Sequence, residues 1–310
     1  YSEENISKIW YEYYNKYSVD LLAAINGSPT QGFGYTTLMT NNGKMVNRGV
    51  EITLSGEIIR QKDFSWNASL LYAFNRNKVK HISVQPSLWD SRISMPTSYP
   101  MVGKPLYGIY AYKWAGLNEN GDPQVYDAEN NVTSGPARDY HALVYCGTTV
   151  PIHNASLTNV LRYKGFEFSA MLILDAGHKL RSSNIPSINM SNGRITSTAK
   201  GIVDRWTQPG DVTDVPRLLF SNDTENFNTH RTELYRYSDL FVYDASNIRL
   251  SNISLAYRVP AHWCKKISLS GAGLQFNVEN VATFAFDSKA NYDLGGKVKP
   301  NYVWGLYLNF

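Results

Sequence analysis

Charge is scarce in this chain: Asp, Glu, Lys and Arg make up 18% of its 310 residues, where soluble globular proteins average about 25%. Long hydrophobic runs are missing too. No stretch approaches the ~20 consecutive apolar residues of a helical membrane span, which excludes a helical membrane protein. Mean hydropathy is −0.34. The basic residues form no stripe, and a net charge of +4 gives no footprint for nucleic acid. The two cysteines, Cys146 and Cys264, show neither metal-ligand nor CxxC spacing. No basic and apolar leader opens the chain. Both ends are expected to be boundaries within something larger, or the chain to be a mature one whose leader is gone.

Catalytic signatures are equally sparse. Gly32-Phe33-Gly34 and Gly271-Ala272-Gly273 lack the third glycine and following helix of a dinucleotide site. Neither a GxSxG elbow nor an HExxH helix occurs. The six histidines are scattered, and Asp175 with His178 reads as a structural polar contact. Asn118-Glu119-Asn120-Gly121-Asp122 lacks the leading Asp and distal Glu of a calcium loop and reads as a turn. The expectation is a protein that is not an enzyme, with no catalytic residue, no metal and no cofactor.

Aromatics are abundant: Tyr 22, Phe 12 and Trp 7 bring them to 13%, which excludes a disordered chain. Many fall in period-2 patterns. In 63–75 one face reads Phe64, Trp66, Ala68, Leu70, Tyr72 and Phe74. In 46–58, Val50, Ile52, Leu54 and Ile58 alternate with Glu51, Thr53, Ser55 and Glu57. Such alternation indicates half-buried strands. Eight are expected, over 9–21, 46–58, 63–78, 154–163, 166–175, 247–258, 266–279 and 301–310. In 248–257 the apolar parity changes between Leu250 and Ile253, which suits a β-bulge near Ser251–Asn252. A similar slip is expected across Gly271–Gly273.

Short connections alternate with long ones, the long ones being 22–45, 79–151, 177–246 and 281–300. Transmembrane barrels have this asymmetry, with short inner turns and long outer loops. Ten residues at ~3.3 Å rise, tilted ~45°, cross ~23 Å, close to the ~25 Å apolar band of such a barrel. On that geometry Cys146 and Cys264 lie at opposite ends of the strands, too far apart for a disulfide. A soluble two-sheet sandwich remains an alternative on pattern alone.

Several stretches resemble the C-terminal part of SusC/RagA-type TonB-dependent outer-membrane transporters of Bacteroidetes. They are Asn47-Arg48-Gly49-Val50-Glu51, Asp63-Phe64-Ser65-Trp66, Phe74-Asn75-Arg76-Asn77-Lys78-Val79, the run 102–127, Tyr163-Lys164-Gly165-Phe166, Arg205-Trp206-Thr207, the run 245–257, and Asn277-Val278-Glu279-Asn280 with the terminal aromatic strand. Their order covers nearly the whole chain. The resemblance implies an all-β fold: the last eight antiparallel strands of a 22-stranded barrel, with the plug domain and N-terminal strands absent here. It also implies the outer membrane as location. Tyr302, Trp304, Leu306, Leu308 and Phe310 then look like the signal strand read by the barrel-insertion machinery. Eight strands closing alone, as an adhesin or binding protein, is the alternative.

The function implied is TonB-dependent import of oligomeric nutrients, glycans first and oligopeptides as the alternative. Implied partners are a SusD-like surface lipoprotein, TonB through the absent N-terminal region, the rest of the same barrel, and outer-membrane lipid. Trp89, Tyr99, Tyr107, Tyr110, Tyr112, Trp114, Tyr126 and Trp206 lie in the two longest loops. Aromatic faces stack on sugar rings and pack peptide side chains, so these are the candidate contacts for substrate or lipoprotein. The competing reading is that they form the loops' own core.

Overall fold

The computed structural model describes residues 6–18, 22–26, 37–41, 43–83, 91–135, 139–186, 188–191, 194–218, 229–294 and 299–310. Eight long strands form one antiparallel sheet: β1 (Ile6–Ser18), β2 (Gly43–Arg60), β3 (Phe64–Ile82), β4 (His153–Tyr163), β5 (Phe166–Ala176), β6 (Asn247–Arg258), β7 (Gly271–Ala285) and β8 (Asn301–Asn309). Their spatial order follows their chain order, so β1 and β8 are opposite edges of the sheet.

Register lines the apolar residues up into continuous rows. One row runs Phe64, Tyr163, Phe166, Tyr257, Leu274 and Leu306 across β3 to β8. The next runs Trp66, Leu161, Phe168, Leu255, Phe276 and Trp304. Higher up, Leu54, Leu70, Leu157, Leu172 and Leu250 form another. Successive side chains of a strand point to opposite faces, so the residues between these rows make up the other face, and it is polar. Ser55 and Ser69 meet there at 2.9 Å between hydroxyls, Arg162 donates to Glu167 at 2.7 Å, and Asn154 donates to Asp175 at 2.7 Å. Tyr307 donates to Gln275 at 2.7 Å, and Gln275 donates to Asn277 at 3.1 Å.

A bulge keeps the rows aligned through β6. Ser251 is an extra residue relative to β5, and two residues of β7, Asn280 and Val281, stand opposite it. Asn280 takes the left-handed backbone (φ 54) that this insertion requires. The extra residue returns Leu250 and Ile248 to the face of Ile253, Leu255 and Tyr257. The slip expected across Gly271–Gly273 is absent: β7 pairs with β8 without a break from Gly271 to Glu279. The strand expected over 266–279 also begins later, at Gly271. Pro260 opens a short helix, Ala261–Lys266, that packs Cys264 inward, and Ser268 turns the chain at φ 60.

The inner turns are tied to neighbouring strands. Lys164 donates its amide to the Asp63 carbonyl, and Arg258 to that of Gly165. The loops at the other end carry their own secondary structure. Gly108–Tyr112 pairs with Leu143–Thr148, Lys179–Arg181 with Val242–Asp244, and Trp114–Leu117 with Pro123–Tyr126. Strands β2 and β3 extend well into the ranges expected to be loop.

Candidate functional site

Described residues of two outer loops, within 91–152 and 177–246, fold onto each other as one layer. Its core is Tyr110, Tyr112, Val125, Ala142, Leu143 and Leu234, with Trp114 and Tyr237 packed against it. Leu234 belongs to the helix Thr229–Arg236, so the core joins residues more than a hundred positions apart. Trp114 lies against Tyr235 at 5.7 Å between ring centroids, and its indole donates to Asp214 at 3.0 Å. Burial pushes the Tyr235 hydroxyl far above its ordinary range, and nearby Asp214 adds to the shift.

Two arginines hold the layer together. Arg217 makes a two-pronged contact with Asp122 (3.1 and 3.0 Å), and Arg231 reaches the same carboxylate at 2.6 Å. Arg231 also donates to the Arg217 carbonyl. Gly121, at φ 72, lies flat beneath the Trp206 ring, where a Cβ would sit 2.4 Å from an indole carbon. Arg181 donates to three carbonyls, those of Tyr110, Arg236 and Ser238 (2.6, 3.4 and 3.4 Å), and sits 5.4 Å from the Tyr237 ring. Burial lowers its pKa, as it does that of Arg231.

The candidate aromatics therefore divide. Tyr110 and Tyr112 are each 1% exposed, so they pack the layer and present no ring to a ligand; this corrects their assignment as contacts. Trp114 and Tyr126 are half-buried, and Lys113 covers Tyr126 at 4.5 Å. Tyr99 is half-buried, with its carbonyl near Arg92 Nε (3.4 Å). Tyr107 is exposed at 45%. Trp206 is half-buried on Gly121 and edges a cleft of about 760 Å³ with Asn118, Glu119, Pro209 and Val212. Trp89 lies outside the described residues. Tyr302, Trp304, Leu306 and Leu308 on β8, and Phe310 just after it, are all exposed.

The other sequence readings resolve as follows. Asn118 closes the 118–122 turn by accepting from the Asn120 and Asp122 amides, each at 2.9 Å. Asp175 does not bond His178; it takes Asn154 and Arg249 instead. His178 is buried, its Nδ1 lacks a partner, and burial lowers its pKa. Both cysteines are free, and burial raises the Cys146 thiol to about 11. Among the described residues no cluster of His, Cys, Asp and Glu could hold a metal. Sequence reasoning missed Asp122, Arg181, Arg217 and Arg231, because each acts across more than 50 positions of chain with no local pattern.

No protein-family model matches the chain. It is 24% identical over 98% of its length to the TonB-dependent receptor P3 of Formosa agariphila, and covers 31% of that protein. Over 78% of its length it is 23% identical to the TonB-dependent receptor SusC of Bacteroides thetaiotaomicron, covering 23% of it. Its fold matches the RagAB peptide transporter with a TM-score of 0.72 at 21% identity, over 97% of this chain and 33% of that one. The chain is SusC/RagA-like, corresponding to the C-terminal part of a TonB-dependent transporter.

This SusC/RagA-like chain spans between 23% and 31% of the length of the relatives it matches. It is a part of an outer-membrane β-barrel, and no helix among the described residues is long and apolar enough to cross a membrane. The apolar rows are then the lipid face and the polar face lines the lumen. The aromatic row at Phe64, Tyr163 and Phe166 sits at the inner end, where barrels carry an interfacial girdle. Polar groups on the lipid-facing side are paired: Tyr72 meets His153 at 2.8 Å near the outer end, and Asn159 lies deeper. Asn159 shares the face of Leu157 and Leu161, and the Trp66 indole donates to its Oδ1 at 3.1 Å. That bond answers an amide carbonyl that lipid cannot.

Proposed function

We propose that the chain forms part of the wall, lumen surface and outer loop layer of an importer that takes up oligomeric nutrients, glycans foremost. The supporting observation is the two-faced sheet: continuous apolar rows outside, and inside a hydrogen-bonded lining of Ser, Asn, Gln and Tyr whose charged members, Arg162 with Glu167 and Asp175 with Arg249, are paired with one another. Neutral amides and hydroxyls at spaced positions suit a path for sugar hydroxyls, which need partners at each step without a tight ionic hold. Transport would be gated rather than catalysed. A surface lipoprotein closes over the outer loops, and TonB acts on a plug contributed by the remainder of the polypeptide. The exposed Tyr107 and the rim of the Trp206 cleft are the surfaces offered to substrate or lipoprotein, and β8, with its row of exposed aromatics, serves as the insertion signal.

Oligopeptide uptake is the second reading, favoured by the fold likeness to a peptide transporter. A self-contained eight-stranded adhesin draws no support from a strand order that puts β1 and β8 at opposite edges. The test is to purify the native complex from the outer membrane in detergent and identify what accompanies the chain. Co-purification with further barrel polypeptide and a surface lipoprotein is expected. A 310-residue chain migrating alone would overturn the reading.

A further inference from the structure

Two short loops from different outer connections face each other across the Trp206 cleft, and each is locked from within. Asn118 closes the 118–122 turn through the Asn120 and Asp122 amides, and Asp122 ties that turn to Arg217 and Arg231. Across the cleft, Asp211 Oδ2 accepts from the Thr207 amide at 2.8 Å, the Thr207 hydroxyl at 2.7 Å and the Gln208 amide at 3.0 Å. Those donors, the Thr207 hydroxyl first, hold the Asp211 carboxyl below its ordinary range. The Trp206 amide donates to the Val215 carbonyl at 2.8 Å, and the Thr213 hydroxyl to that of Asp204 at 2.6 Å. With its ring seated on Gly121, Trp206 is fixed where its remaining surface lines the cleft of about 760 Å³.

The lining combines an apolar floor with an uncommitted polar rim. Val212 stands beside the indole and is wholly exposed, so it is not spent on the core of the loop layer. Glu119 and Asn120 are exposed at the rim, and neither side chain has a hydrogen-bond or ion-pair partner among the described residues. None of the described lining residues is basic, because Arg217 and Arg231 are turned onto Asp122 instead. Such a set answers a pyranose ring. The sugar's C–H face packs on the indole, the carboxylate accepts from hydroxyls, and the amide both donates and accepts. A sulfate or carboxylate on the sugar would meet Glu119 and Asp211 with no cation to offset them. A lysine or arginine side chain would use the carboxylate but leave the Asn120 N–H donors facing a cation.

We infer that the Trp206 cleft is a capture subsite for an uncharged oligosaccharide and rejects sulfated and uronic chains. One pyranose unit stacks on Trp206 and places its hydroxyls on Glu119 and Asn120. This assignment rests on the glycan-importer reading and narrows its substrate class. Both walls are closed by their own hydrogen bonds, so binding orders little that is not already ordered. The cleft belongs to the outer loop layer and therefore meets a substrate before the lumen does.

The experiment measures affinities of the native complex in detergent by calorimetry. Maltohexaose, cellohexaose, mannohexaose and xylohexaose are the neutral probes, hexagalacturonate the acidic one and hexalysine the peptide one. The parent is expected to bind at least one neutral probe on the order of tenfold more tightly than hexagalacturonate, given the unopposed carboxylates. E119A/N120A, altered at two exposed side chains, is expected to weaken neutral binding about tenfold, as the loss of two hydrogen-bonding groups predicts. W206F, with a smaller ring on the same seat, is expected to weaken it about threefold. Neutral affinity unchanged in E119A/N120A would overturn the inference and leave the glycan reading standing. Equal affinity of the parent for hexagalacturonate and its best neutral probe would do the same. A parent that binds no saccharide would overturn both, and hexalysine binding lost in E119A/N120A would assign the cleft to basic peptides. Hydrogen exchange across 229–237 checks that each variant keeps the loop layer. If W206F loses it, E119A/N120A and the probe comparison on the parent decide the matter.

Discussion

Arg217 grips Asp122 from a different outer loop, with Nε to Oδ1 at 3.1 Å and Nη2 to Oδ2 at 3.0 Å. The contact spans 95 positions of sequence and is shared with Arg231, so one carboxylate neutralises two mostly buried guanidiniums. Removing it strands both cations. Asp122→Asn is expected to destabilise the loop layer by about 2–4 kcal/mol, since an ion left without its partner away from water is strongly unfavourable. Hydrogen exchange should speed up across 114–126 and 229–237, while exchange in β4 and β5 stays unchanged.

Gly121→Ala tests the neighbouring contact. The substitution places a Cβ 2.4 Å from the Trp206 ring at a residue with φ 72, combining backbone strain with overpacking, together about 2–4 kcal/mol. Trp206 fluorescence is expected to shift to the red as the ring is pushed into water. An unshifted spectrum would mean that the ring does not rest there.

The bond from Trp66 to Asn159 joins two half-buried polar groups on the lipid-facing side. Trp66→Phe leaves the Asn159 amide without its donor and is expected to cost about 1–3 kcal/mol. Adding Asn159→Leu is expected to restore most of that stability, because both polar groups are then gone. A double-mutant cycle in urea unfolding measures the coupling, and additive losses would contradict the pairing.

Asp244 gives the loop layer a pH limit. Burial acts to raise its pKa, but donors from Ser246 and Lys179 outweigh burial and hold the carboxyl at about 2. A depressed carboxyl contributes stability above its unfolded value of about 3.9, and that contribution disappears as pH falls through the folded value. Protection of 179–181 and 242–244 is therefore expected to hold from pH 7 to 5 and fade between about pH 4 and 2. Asp244→Asn should abolish this dependence.

The sheet was legible because lipid and water impose opposite demands on alternate residues. Phe64, Trp66, Leu70, Tyr72 and Phe74 show the period directly, and the parity change between Leu250 and Ile253 marks the bulge at Ser251. The helix at 261–266 was not legible: Ile267 and Leu269 alternate with Lys266, Ser268 and Ser270 as a strand would, on the parity opposite to Leu274 and Phe276, and only Pro260 hints at the break. The loop layer was hidden for a different reason. Tyr110 and Tyr112 have the composition of a binding surface, and their 1% exposure arises from Leu143 and Leu234, which reach them across long stretches of chain. The Asp122, Arg217 and Arg231 cluster has no periodicity at all.

The most direct test of the account is a spin-label scan of residues 155–162 in the intact transporter, reading oxygen and aqueous-nickel accessibility at each site. The account predicts a period of two, with 155, 157 and 161 oxygen-accessible in lipid and 156, 158 and 160 accessible to nickel from the lumen. A scan with no period of two, or with uniform nickel access on both faces, would contradict it.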